Sequence, residues 1–211
     1  MDIRYFDSLP STQTYLVEAI QKKRLSPPVA VLAYEQNEGV GSRDNTWSGG
    51  EGNFFASVAL KLEDLPQDLA LSSASIYFSF IMKQILLELG ENIWLKWPND
   101  FYKNDKKVGG TITKKVNDTL VCGIGINLKN YQNGYSALQS DISPKILLEK
   151  YLLALEKFPK WKQIFSEYEI EFELSRRFSV HIENYQKSLG DALLCDDGSL
   201  IIGGKRVYSL R

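Results

Sequence analysis

The apolar positions of the chain fall into two spacings, and the change from one to the other marks out the elements. Ile3 to Phe6 is a short apolar-alternating run that predicts an opening strand. Tyr15, Leu16, Ala19 and Ile20 then recur at helical spacing, predicting a helix from a Ser11 or Thr12 cap to about Lys23. Pro27-Pro28 breaks the chain, and Val29 to Tyr34 is a β-prone run. Asn37 to Asn53 holds five glycines among polar residues, with Trp47 its one large aromatic, and predicts a long loop of the kind that carries function. Phe54 to Leu62 predicts a strand, and residues 67 to 89 are apolar all round, as in a buried core helix. Ser72, Ser73, Ser75, Ser79, Lys83 and Gln84 interrupt that segment and argue against a membrane span. Further strands are predicted to end at Ile93 to Leu95 and to run from Leu120 to Asn127. Ser143-Pro144 opens a helix to about Lys157, Pro159 interrupts it, and an amphipathic helix follows from about Lys160 to Leu174. From residue 178 onward, short β runs are separated by turns at Gly190, Asp196-Asp197-Gly198 and Gly203-Gly204. The order predicts an α+β chain: a mixed β-sheet with packed helices over residues 1–175 and a small β-barrel over 176–211.

Composition narrows the chemistry. With 44% apolar and 12% aromatic residues, 211 residues can bury a substantial core. A net charge of −1 and a pI near 6.0 provide no basic field for nucleic acid or an anionic membrane, so neither is expected as a partner. Met1-Asp2-Ile3-Arg4-Tyr5 lacks the apolar stretch of a secretory signal, and Cys122 and Cys195 are far apart in apolar surroundings. Free thiols in a reducing, cytoplasmic setting are therefore expected. His181 is the sole histidine and reads as structural. A histidine-based triad, a multi-histidine zinc site and a Cys/His cluster are thereby excluded, and no protein-held metal is expected. The chemistry must run on Lys, Arg, Asp, Asn and backbone groups.

The densest group of such residues is Leu95-Lys96-Trp97-Pro98-Asn99-Asp100, followed by Lys107-Val108-Gly109-Gly110. Pro98 cannot donate to a sheet ladder, so a strand should stop there. Asn99, Asp100 and Asn104-Asp105 supply turn chemistry before the chain returns at Val108. A carboxylate (Asp100) and an amine (Lys107) are then presented on either side of a strand-turn-strand, and the Gly109-Gly110 pair permits close approach to the backbone. Taken singly, these residues fit a hairpin with a solvated lysine equally well. In this order, Lys-Trp-Pro-Asn-Asp followed by Lys-x-Gly-Gly resembles the signature of biotin protein ligases.

Three other stretches and the C-terminal segment bear on that resemblance. The loop from Gln36 to Trp47 contains Gly39-Val40-Gly41-Ser42-Arg43, whose amides and guanidinium could wrap anionic oxygens. A dinucleotide fingerprint fails because Asp44 takes the third glycine position, and no Gly-Lys-Ser/Thr exists for a Walker loop. By residue type, a phosphate cradle and a surface loop are equally compatible. The stretch resembles the family's loop that closes over biotinyl-adenylate, with Gln36, Gly39, Gly41 and Trp47 matching. The family's Gly-Arg-Gly-Arg opening is reduced to one displaced arginine, Arg43, and Ser48-Gly49-Gly50 replaces Ser-Pro after the tryptophan. Ser11-Thr12-Gln13, by itself a helix cap, resembles the family's Ser-Thr-Asn, with Gln13 in the third place. Gly123-Ile124-Gly125-Ile126-Asn127, by itself a strand with a possible bulge, matches Gly-x-Gly-x-Asn. Gly190-Asp191-Ala192-Leu193-Leu194 resembles part of the SH3-like barrel that follows the catalytic domain.

The resemblance implies a class II synthetase-like catalytic domain that activates biotin with ATP and Mg2+ as biotinyl-5′-AMP. It then passes biotin to a lysine of a biotin carboxyl carrier protein. It assigns catalysis to Lys107, Asp100 and Arg43. Biotin falls to Ser11, Thr12, Gln36, Gly39, Gly41, Lys107, Gly109 and Gly110, and the adenylate to Arg43, Trp47, Asn99, Lys107 and Asn127. A monomer or homodimer is implied. The nearest alternative is a lipoate or octanoate ligase of the same fold, and a silent binding module is another. A DNA-binding repressor with an N-terminal winged helix is not expected, because the Ser-Thr motif already begins at Ser11.

Overall fold

Residues 1–41, 46–47, 50–129, 136–182 and 185–208 are described by a computed structural model. Strand β1 (Asp2–Leu9) leads into helix α1 (Thr12–Gln21), and the chain returns as β2 (Val29–Gln36), parallel to β1. Ser11 caps α1 as its sequence predicts, its hydroxyl accepting the Thr14 N–H at 3.2 Å. Strand β3 (Phe54–Lys61) precedes helix α2 (Ala74–Glu88), and β4 (Trp94–Lys96), β5 (Asp100–Lys103), β6 (Lys106–Val116) and β7 (Thr119–Ile126) follow. Together they form one seven-stranded mixed sheet in the order β1-β2-β3-β7-β6-β5-β4, antiparallel apart from the first pair. Helices α3 (Pro144–Leu155) and α4 (Trp161–Phe172) complete the packed layer.

The central strands are apolar on both sides because both faces are covered. On one, Leu16, Val17 and Ile20 of α1 pack against Val29, Val31, Ala59 and Val121. On the other, α2, α3 and α4 bury the main core around Tyr77, Trp97, Tyr151 and Phe172. The first turn of α4 receives a cap from outside its own sequence, as the Asp68 carboxylate accepts the Trp161 and Lys162 N–H groups at 3.1 Å each. Desolvation by its neighbours opposes ionisation of Asp68, but the backbone N–H bonds of Lys162, Trp161 and Asp68 itself and the Lys160 charge prevail and hold its pKa below the ordinary value.

Two expectations require correction, and the C-terminal one is met only in part. The helix predicted over 67–89 begins only at Ala74, after extended backbone at Ala70 and a 3-10 turn at Leu71–Ser73, and the Ser73 hydroxyl is tied to the Asp197 carbonyl. The strand-turn-strand around Asp100 is a three-stranded meander. Asp100 opens β5 instead of lying in a turn, and the second reversal is made at Asn104, in the left-handed region at φ 53°. After residue 178, β8 (Ser179–Ile182) and β9 (Tyr185–Ser188) form a two-stranded ribbon. Strands β10 (Leu193–Leu194), β11 (Leu200–Ile202) and β12 (Lys205–Val207) form a separate three-stranded sheet. Among the described residues no ladder joins them into a closed barrel. Their apolar residues Val180, Leu189, Ala192 and Leu200 enter the main core instead. Indole N–H groups in a dry interior need acceptors, and this segment supplies them. Trp97 Nε1 donates to Gly198 O at 2.9 Å, and Trp161 Nε1 to Asp196 O at 2.8 Å.

Both cysteines are free thiols. Cys122 is fully buried on β7, and burial pushes its thiol pKa well up, whereas Cys195 is partly exposed. A thiol reagent should therefore titrate one cysteine in the native protein and the second only in denaturant. Rapid reaction of both in buffer would contradict the buried placement of Cys122. Among the described residues, no helix is long and apolar enough to cross a membrane.

Candidate active site

The registers of five neighbouring strands place Phe55, Gly125, Gly110, Asp100 and Lys96 in one row across the α1 side of the sheet. The next row, two residues along, contains Val31, Ser57, Gly123 and Ile112. Gly123, Gly125 and Gly110 leave this surface without side chains, so a trench opens between Phe55 on β3 and Asp100 on β5. The space it encloses, open solvent at its mouth included, is about 460 Å³. Ser11, Thr12, Gln13 and Gln36 line one part, Asn99, Asp100 and Lys107 another, and Trp47, Val40, Gly41 and Ile112 lie among them.

Pleat parity alone would put Lys107 and Gly110 on opposite faces, since they are three residues apart. A bulge overrides it. Phe101 pairs with Gly109 but Tyr102 pairs with Lys107, leaving Val108 as the extra residue on β6. Lys107 is thereby turned to the Asp100 face, where its Nζ lies 2.6 Å from Asp100 Oδ1 with both side chains largely withdrawn from water. The bulge is braced from behind. Val108 O accepts the Asn127 N–H at 2.8 Å and Lys107 O accepts the Ser136 N–H at 2.9 Å, while Asn127 Nδ2 donates to Ser136 O at 3.0 Å. Asn99 clips the turn to β6 through its own carbonyl, which accepts the Thr111 N–H at 2.9 Å, and through its amide, which donates to the Thr111 carbonyl.

The other polar group is built around the start of α1. Gln36 Oε1 accepts the Thr12 N–H at 2.9 Å and its hydroxyl at 3.3 Å, and Gln36 Nε2 donates to Trp47 O at 2.9 Å. Ser57 donates to the Thr12 hydroxyl at 3.0 Å. Gln13 is 7% exposed and donates to Val121 O at 3.3 Å. Its Oε1 has no partner among the described residues. A buried unpaired acceptor costs about 1–3 kcal/mol unless something outside the chain fills it. A Cβ on Gly123 would stand 2.7 Å from that oxygen and 3.2 Å from Ser57 Oγ, so the glycine makes room for the Gln13 amide. Gly123→Ala should weaken ligand binding at this end about tenfold or more while the protein stays folded. Unchanged affinity in calorimetric titration would remove Gln13 from the site.

The sequence-derived residues therefore divide. Ser11, Thr12, Gln36, Gly41, Trp47, Asn99, Asp100, Lys107 and Gly110 line one cleft. Gly109 faces away from it, where a Cβ would meet Gly125 O at 2.6 Å, so close strand packing requires that glycine. At Gly39 a Cβ would run into the Gln36 amide and the Trp47 carbonyl, and Asn127 supports the bulge from outside the cleft lining. Arg43 lies outside the described residues. Gln13 and Lys96 were not assigned from sequence. The available signals were the helix-start position of the first and the location of the second inside the central motif.

Among the described residues the trench holds no cage for a divalent cation. Asp100 is the only carboxylate among its described lining residues and is already paired with Lys107, and no cluster of three acidic, cysteine or histidine side chains occurs among the described residues.

Comparison with known proteins agrees with this architecture. The sequence profile of the biotin/lipoate A/B protein ligase family matches residues 5–129, more than half of the chain. The bifunctional ligase/repressor BirA of Salmonella typhimurium is 28% identical over 96% of this chain and 63% of its own length. The biotin–[acetyl-CoA-carboxylase] ligase of Paracoccus denitrificans is 34% identical over 49% of this chain and 46% of its own. This chain thus spans less than two-thirds of either relative. The crystal structure of biotin acetyl coenzyme A carboxylase synthetase from Helicobacter pylori, with bound biotinylated ATP, superimposes with a TM-score of 0.93. It is 39% identical and covers 98% of this chain and 99% of that one. With profile, sequence and whole-chain superposition in agreement, the chain belongs to the biotin/lipoate A/B protein ligase family.

Proposed function

We propose that this protein activates biotin with ATP as biotinyl-5′-AMP and transfers it to a lysine of a biotin carboxyl carrier protein. The observation that carries the reading is the Lys107–Asp100 pair at one end of a trench whose other end is lined by Ser11, Thr12, Gln13 and Gln36. Biotin has a polar ureido head, an aliphatic tail and a carboxylate, and those three parts match the polar head site, the glycine-floored middle and Lys107. A lipoyl or octanoyl head is apolar and would leave the buried Gln13 Oε1 unpaired, at a cost of about 1–3 kcal/mol, whereas a ureido N–H can donate to it. That asymmetry favours biotin over the lipoate alternative.

In the first step the biotin carboxylate attacks the α-phosphorus and pyrophosphate leaves. Two anions must meet, and the Lys107 ammonium offsets their repulsion in a site shielded from water. We assign Arg43 to the same phosphate charge, Trp47 and Asn99 to the adenylate, and Asn127 to the adenine end. Gly39, Gly41 and Gly110 are assigned to shaping the biotin site, and Gly109 to the strand packing behind it. Mg2+ is assigned to the nucleotide polyphosphate that brings it, since Asp100 is committed to lysine. In the second step the acceptor ammonium gives one proton to Asp100 and its lone pair attacks the acyl carbon. The C–O bond to phosphate breaks with its electron pair going to AMP, and the second nitrogen proton passes to water. Residues 1–175 are proposed as the catalytic unit and 176–211 as the SH3-like module, with the protein working in the cytoplasm as a monomer or homodimer.

Exchange of labelled pyrophosphate into ATP, with biotin, lipoate and octanoate offered separately, tests the reading. Exchange with biotin alone is expected. Exchange with only lipoate or octanoate would transfer the activity to the other branch of the fold, and none with any acid would leave a silent binding module.

A further inference from the structure

The row of residues that floors the trench continues one strand past Asp100, to a lysine with no role in the steps above. Lys96, on edge strand β4, is directly opposite Asp100 in the β4–β5 register, and its Nζ lies 3.9 Å from Asp100 Oδ2. Lys107 holds the other oxygen, Oδ1, at 2.6 Å, so one carboxylate bridges two ammonium groups. Lys96 is 8% exposed although its strand is at the sheet edge, where a long side chain could reach water by turning outward. It is held inward beneath aromatic rings, with Nζ 5.7 Å from the Tyr102 centroid and 5.9 Å from that of Phe178. Rings at that distance favour a cation. Phe178 follows α4 and packs on Trp94 and Tyr102, so the C-terminal part of the chain shapes this pocket.

A buried ammonium is costly unless it is paired, and the partner here is the atom next to the one the chemistry uses. We propose that Lys96 is a positioning residue for Asp100. It anchors Oδ2, so that when Lys107 turns to the anionic oxygens of the acid and phosphate, Oδ1 stays charged and aimed into the trench for the incoming acceptor amine. Oδ1 thus passes from one ammonium to another, while Oδ2 keeps the same one throughout. Without Lys96, the departure of Lys107 would leave Asp100 a poorly solvated carboxylate without its second cation, free to rotate away or to recapture Lys107.

This inference rests on the activation-and-transfer reading, and the two fail differently. Wild type, Lys96→Met, Lys96→Arg, Asp100→Asn and the Lys96→Met/Asp100→Asn double variant are compared in both half-reactions. These are biotin-dependent pyrophosphate exchange and single-turnover transfer from preformed biotinyl-adenylate. Lys96→Met should slow transfer about tenfold and change exchange less than threefold, Lys96→Arg should recover most of the loss, and Lys96→Met should add little to Asp100→Asn. No exchange by the wild type removes the reading and the inference with it. Wild-type exchange combined with unimpaired transfer by Lys96→Met, equal loss in both half-reactions, or full additivity in the double variant overturns the inference alone.

Discussion

Replacing Lys107 with alanine should reduce biotin-dependent pyrophosphate exchange by about a thousandfold, to near background. The geometry explains why the loss is so large. Lys107 is the only cation among the described lining residues, placed there by a bulge that turns it to the trench face. Its removal takes away the charge that lets carboxylate and triphosphate approach each other. It also leaves the Asp100 carboxylate facing those anions, with Lys96 3.9 Å away on its far oxygen. Two unfavourable changes therefore act on one step. A thermal melt should show that the variant remains folded, because the bulge is held by main-chain bonds to Asn127 and Ser136 and not by the lysine side chain. Exchange at a near-wild-type rate in the folded variant would dismiss Lys107 from the chemistry.

Asp100→Ala should act on the other half of the reaction, slowing transfer from preformed adenylate about a hundredfold. A free lysine with pKa near 10.4 is neutral in about one molecule in a thousand at pH 7.4, so an acceptor amine gains greatly from a positioned proton acceptor. Asp100 suits that task, being at the trench wall with one oxygen already committed to an ammonium. Lys107→Arg keeps the positive charge and the capacity to pair with Oδ1, so transfer should suffer less in that variant than in Asp100→Ala. Single-turnover transfer decides the order. Should Asp100→Ala transfer biotin as fast as wild type, the proton must leave by another route. Effects at Lys107 and Asp100 should not add, because each substitution removes the same 2.6 Å contact.

Much of this was legible in the residues. The Ser11 cap, the β-prone run at Val29 and the two helices that follow Ser143-Pro144 and Pro159 lie where periodicity and turn chemistry predicted them. That Asp100 and Lys107 serve one site was expected from motif order and the resemblance it carries, but their 2.6 Å contact was not. Nor was the bulge at Val108, without which the two side chains would lie on opposite faces. The two paired glycines also separated. Gly110 opens the trench beside Asp100 and Lys107, whereas Gly109 accommodates the carbonyl of Gly125 on the neighbouring strand. The C-terminal β runs looked independent in sequence, yet Gly198 and Asp196 supply acceptors for buried indoles, and Val180 and Leu200 complete the main core.

By itself, then, the sequence determined the kinds and order of most elements, the residue types available for chemistry, and, with one histidine, the exclusion of a histidine triad and of a multi-histidine zinc site. Those properties depend on local periodicity, turn chemistry and composition, all of which are written along the chain. Only the tertiary structure decided which members of each motif face the trench. Facing is set by strand register across partners such as Gly125 and Gly110, which are distant in sequence, and a one-residue bulge reverses it. Nor does local pattern carry the link between Lys96, Asp100 and Phe178, because contacts across tens of residues form only when the sheet and the C-terminal segment pack together.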